Sequence, residues 1–60
     1  MNKDTKVKFV SGHLSGEGVI HDIMNSDGNK IYFVRIDKIN IGHEHLLGLT
    51  CKFQESELKE

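Results

Sequence analysis

Proline is absent from the chain, as are internal repeats and any low-complexity linker, so glycine alone punctuates one continuous folding unit. A single cysteine, Cys51, excludes an intramolecular disulfide and a cysteine-rich zinc site. It reads as a small buried side chain in a strand, in a reducing compartment. No apolar run approaches the roughly 18 residues of a membrane span, and the start lacks the apolar stretch of a signal peptide, so the expected location is cytoplasmic. Positive charge is lacking too: eight Lys and Arg against nine Asp and Glu give a formal net charge of -1. No global field draws such a chain to nucleic acid or anionic lipid, and binding of that kind needs a local patch.

Recognisable catalytic chemistry is missing as well. Neither His13 nor His21 stands beside a Gly-x-Ser-x-Gly element or a carboxylate pair. The glycines at 12, 16 and 18 are not followed by the Gly-Lys-Ser/Thr ending and helix of a phosphate loop. A chain of 60 residues also has little room for the concave pocket of about 300 Å³ that small-molecule sites use, so no cofactor is expected and an enzyme would need a site shared between subunits.

What is present is globular composition, 37% hydrophobic and 28% charged, enough for one core in one domain spanning residues 1–60. Residues 1–5 read as a polar head and 59–60 as a tail. A domain this small buries only about 60% of its unfolded surface, which leaves stability marginal and keeps a homo-oligomer in view. Lys6, Lys8 and Val7, Phe9 alternate as in a half-buried strand, with Val7 and Phe9 inward. Residues 11–18, with three glycines, predict a turn. Residues 19–24 resume strand character, Asp27-Gly28 marks a hairpin turn, and residues 30–36 return as the partner strand.

In that returning strand Tyr32, Val34 and Ile36 share one face while Ile31, Phe33 and Arg35 share the other. Ile31 and Phe33 therefore lie either beneath the following loop or on a surface meant for a partner. Ile39 and Ile41 suggest a short strand, and residues 42–45 a loop. Residues 48–53 read as a strand with Leu49, Cys51 and Phe53 on one face, and the tail as one 3-10 turn that tucks Leu58 onto the end of the fold.

Four or five short strands without a helix predict an all-β fold, a small partly open barrel rather than a sandwich. Residues 7–20, a strand ending in a glycine-containing loop with a second glycine leading into the next strand, resemble the KOW-type opening of SH3-like barrels. The Tyr32-x-Val34-x-Ile36 strand and the closing Phe53, Glu55, Leu58 pattern look like the later part of the same fold. The resemblance covers most of residues 6–58, and the segment between Gly12 and Gly18 is shorter than the usual KOW loop. It implies contacts to RNA, ribosome or RNA polymerase through loops. SH3-like barrels as a class also include protein-binding adaptors, small phage and plasmid proteins and an oligomeric plasmid reductase, so the fold does not select the function.

The leading expectation is a non-enzymatic interaction module for a protein partner or a second copy, through His13, Leu14, Ile31, Phe33 and Arg35, joined by the loop at residues 43–47. Apolar surplus without catalytic residues motivates it. The alternative is a nucleic-acid surface built from Lys6, Lys8, Lys30, Arg35 and Lys38, with Lys3 nearby and Tyr32 or Phe33 as a stacking ring; Glu55, Glu57 and Glu60 gather elsewhere. A third is a subunit of an oligomeric enzyme. His43 and His45 are weak candidates for a metal, two imidazoles where structural zinc usually takes four ligands.

Overall fold

The structure, a computed structural model, describes all residues 1–60. Five strands, β1 (Lys6–Ser11), β2 (Leu14–Ser26), β3 (Asn29–Ile39), β4 (Thr50–Gln54) and β5 (Leu58–Lys59), form one antiparallel sheet in the order β4-β3-β2-β1-β5. The sheet is not closed, since its edge strands β4 and β5 are not paired with each other. No helix is long and apolar enough to cross a membrane.

The hairpin expected at Asp27-Gly28 forms with Ser26 opposite Asn29. Its two central residues have φ of 51° and 82°, the positive values that a two-residue turn matched to the strand twist requires. Val7 and Phe9 face inward as their alternation predicts, joined by Ile20, Tyr32, Val34, Ile36 and Phe53 in a single core. The sheet must curl to make it. Phe9 on β1 and Phe53 on β4 belong to strands separated by two others, yet their rings stack.

The glycine-rich segment is the main departure from expectation. Residues 14–18 are not a turn but the first part of β2, and the connection from β1 is only Gly12 and His13. Gly16 lies opposite Phe9 on one side and Ile39 on the other, and Gly18 opposite Val7 and Ile36. A Cβ on Gly16 would stand 2.0 Å from the Lys38 carbonyl oxygen, and one on Gly18 2.2 Å from that of Arg35. Two of the glycines read as loop residues are thus in-strand positions where neighbouring backbone comes too close for any side chain.

Two β-bulges set which side chains face out. The ladder between β2 and β3 shifts between Ile20 and Asp22 and again between Glu17 and Gly18, leaving His21 and Asp37 without a directly opposite residue. The first bulge turns Ile23 onto the core beside Ile20 and sends Asp22 outward; the second puts Ile39 against the core and Lys38 outward.

The remaining differences lie near the chain end. Ile39 closes β3 rather than opening a separate strand with Ile41, and Ile41 sits in a turn, 91% exposed. A 3-10 turn at Glu44–Leu46 adds to the one expected near the C-terminus, Glu55–Glu57. The strand placed at residues 48–53 runs over Thr50–Gln54, with Phe53 in the core, Cys51 half-buried against it and Leu49 exposed. Lys59, read as tail, belongs to β5, and Met1, read as polar head, packs on the core.

Candidate functional site

The residues singled out for a partner do not form one surface. His13 and Leu14 sit at the β1–β2 turn, which Asn40 binds tightly to the β3–β4 connection. The Asn40 amide nitrogen donates to the His13 carbonyl (2.8 Å), its side-chain oxygen accepts from Ser15 N–H (3.1 Å), and its own N–H donates to the Ser15 carbonyl (2.9 Å). The connection itself, residues 40–49, carries Ile41, Leu47 (45% exposed) and Leu49 (52% exposed) to the solvent. One end of the molecule therefore combines His13, half-buried Leu14 and three exposed apolar side chains.

Ile31, Phe33 and Arg35 lie on the outward face of β3 instead. The β3–β4 connection bonds to the far end of this strand, Ile36 N–H to the Leu49 carbonyl and Gly48 N–H to the Ile36 carbonyl. Half-buried Ile31 and Phe33 are flanked by their cross-strand partners, Gln54 and Met24 beside Ile31, Lys52 and Asp22 beside Phe33. Met24 is itself 51% exposed.

Register extends this face across the whole sheet. Arg35 is flanked by Val19 and Thr50, and Val19 by Lys6 on β1. In the next row Lys38 on β3, Glu17 on β2, Lys8 on β1 and Lys59 on β5 follow one another. Directly opposite residues in an antiparallel ladder project to the same side. The outward face thus carries Lys6, Lys8, Arg35, Lys38, Lys52 and Lys59, six of the eight basic residues, around Phe33, Ile31, Met24 and Val19. Against them stand only Glu17, Asp22 and Asp37. Arg35 Nε lies 3.8 Å from Asp37 Oδ1, an exposed contact, while none of the five lysines makes an ion pair. Beside the Asp37 bulge, a dimple of about 110 Å³ opens between Lys6, Glu17, Gly18, Asp37 and Lys38.

No known protein family, curated protein or solved structure matches this chain.

Of the residues proposed for nucleic acid, Lys6, Lys8, Arg35 and Lys38 come together on this face. Tyr32 does not: it is 1% exposed in the core, so its ring cannot stack on a base, and Phe33, one position on and facing out, is the ring that remains. Lys30 sits at the hairpin tip, in the rim of an open polar groove of about 580 Å³ between residues 26–31 and 54–56. That groove is larger than a chain of this length leads one to expect, but it has no histidine or cysteine and only one apolar lining residue, Ile31. Lys52, Lys59, Met24 and Val19 escape sequence reasoning because their places depend on strand pairing and on a bulge that no local pattern announces. His43 precedes the first 3-10 turn and His45 lies within it, with ring centroids 6.4 Å apart, and no third histidine, cysteine or acidic residue completes a ligand set with them.

The best-held polar side chain of the C-terminal segment is Glu57. One carboxylate oxygen accepts from Ser11 Oγ (2.5 Å) and the other from Gln54 N–H (2.8 Å), which fastens the second 3-10 turn to the end of β1. The Ser11 hydroxyl first and the Gln54 amide second hold this carboxyl below its ordinary value of 4.5, slight desolvation acting the other way.

Proposed function

We propose that this chain is a non-enzymatic binding module of the SH3-like type whose outward sheet face takes single-stranded nucleic acid. Support for the SH3-like assignment comes from the strand order, with β1 at the junction of two ladders and a 3-10 turn linking β4 to β5. The observation that carries the ligand is the sorting of charge: six of eight cations lie on one face of a chain whose net charge is -1. Phosphate contacts supply attraction that does not depend on base sequence, and a half-buried ring among the cations supplies the stacking surface that single-strand binders use.

The test is fluorescence anisotropy with labelled oligo-uridine and oligo-deoxythymidine over a range of salt. Three to five neutralised phosphates give a slope of log K against log salt of roughly -2 to -3.5. Phe33→Ala weakens binding by about 1–3 kcal/mol with the slope unchanged, whereas Lys52→Gln lowers the slope. No binding at low salt, or binding indifferent to salt, overturns the proposal.

A second reading rests on a different observation. Ile41, Leu47 and Leu49 are exposed on the connection that Asn40 ties to the turn at His13 and Leu14, and exposed apolar side chains of that kind suit a protein partner or another copy of the chain. Salt hardly affects such a contact, so the two readings separate in one titration.

A further inference from the structure

Strand β5 consists of two residues, held to β1 at two positions: Leu58 opposite Phe9 and Lys59 opposite Lys8. Leu58 packs inward against the core, so the second pair sets two lysines side by side on the outward face. Directly opposite residues have Cβ atoms about 4.5–5.5 Å apart, and like charges at that spacing oppose the pairing.

Only one carboxylate stands in the same row, Glu17 opposite Lys8 on β2, and it does not reach β5. Glu60, the adjacent carboxylate, lies 3.6 Å from the N-terminal amino group, and Glu57 is engaged by Ser11 and Gln54. Glu17 is the neighbour of Lys8 on β2, yet neither Lys8 nor Lys59 is in an ion pair. The shortest strand of the fold is thus joined at its outward position through two facing lysines, of which Lys59 has no carboxylate opposite it.

We propose that Lys8 and Lys59 form a phosphate subsite at the β5 end of the nucleic-acid face, and that a phosphodiester bound between them fastens β5 onto β1. The proposal rests on the nucleic-acid reading given above and assigns one end of its track. A phosphate between the two ammonium groups replaces their repulsion with two attractions, so ligand binding and β5 docking favour each other. The pair then acts in opposite senses with and without ligand, which distinguishes it from lysines that only keep a surface soluble.

The test uses the full chain, with backbone amide hydrogen exchange followed by NMR, free and bound to oligo-deoxythymidine. On binding, amide exchange slows several-fold at residues 8, 9, 58 and 59. Lys59→Gln, which keeps most of the aliphatic stem and removes the charge, raises the melting temperature of the free protein, lowers the salt slope by about 0.7 and abolishes the added protection. Lys8→Gln likewise lowers the slope and abolishes the added protection, and Lys30→Gln, at the hairpin tip, leaves the added protection of the β1–β5 ladder intact. Inorganic tripolyphosphate raises the melting temperature of the wild type more than that of Lys59→Gln. Salt-dependent oligonucleotide binding with unchanged exchange at the β1–β5 ladder, or an unaltered slope in Lys59→Gln, overturns the subsite and leaves the proposed function standing. Absence of salt-dependent binding removes both.

Discussion

The rings of Phe9 and Phe53 stack with centroids 4.7 Å apart and planes inclined by 29°, although their strands are separated in the sheet by β2 and β3. A flat sheet would hold β1 and β4 about 14 Å apart. The contact therefore measures the curl of the sheet, and it closes the core on the side where no hydrogen bonds do.

Removing that contact should open the fold. Phe53→Ala is expected to cost about 3–5 kcal/mol, against a total stability of roughly 3–9 kcal/mol for a chain of this length. Thr50→Ala, outward on the same strand, should stay within about 0.5 kcal/mol. Urea unfolding followed by circular dichroism distinguishes the two, and near-equal midpoints would mean that β4 is not held by its aromatic contact.

Two strand positions leave no space for a side chain. Gly16→Ala and Gly18→Ala each place a methyl within 2.2 Å of a β3 carbonyl oxygen, and strand backbone cannot step aside as a flexible side chain can. Each should lose about 3 kcal/mol, while Glu17→Ala between them, exposed and without an ion pair, should lose little. Wild-type melting in Gly16→Ala would show that β2 has room to shift.

These glycines also mark the limit of what sequence reasoning reaches. The alternation of Val7 and Phe9 and the adjacent Asp27-Gly28 pair are local signals, and both predict what forms. Gly16 and Gly18 give the same local signal as turn glycines, because close approach is a property of the strands on either side, β1 and β3, not of the segment itself. The bulges at His21 and Asp37 act similarly: each reverses inside and outside for the residues beyond it, so the outward places of Asp22 and Lys38 follow from pairing, not from counting by two. The cationic face is assembled from four strands, and Lys52 and Lys59 join Lys6 and Lys8 only once register is fixed. Net charge points away from it, and the clustering of Lys6 and Lys8 against the acidic C-terminal stretch hints at it without showing which residues share a face.

Glu57 gives a pH dependence with a definite sign. Its folded-state pKa lies below 4.5, so the folded protein favours the ionised form and this contribution is present above that pH. It fades as pH falls below 4.5 and the carboxylate takes up its proton. Glu57→Gln and Ser11→Ala should melt lower than wild type near neutral pH, with the difference shrinking as the pH falls below 4.5. A difference that stays constant with pH would assign the effect to packing at the 3-10 turn instead.

The exposed apolar end offers a prediction about association in place of stability. Ile41 is 91% exposed and makes no contribution to the core, so Ile41→Ser should leave the melting temperature of the dilute protein almost unchanged. If this end binds a second copy, light scattering should show the wild-type mass rising with concentration, and Ile41→Ser and Leu47→Ser should each suppress the rise. Salt should not suppress it, since the contact is apolar, and oligonucleotide should not compete, since the cationic face is a separate surface. A wild-type mass of one chain at every concentration would remove both self-association and a subunit-shared catalytic site, and would leave Ile41, Leu47 and Leu49 for a different protein.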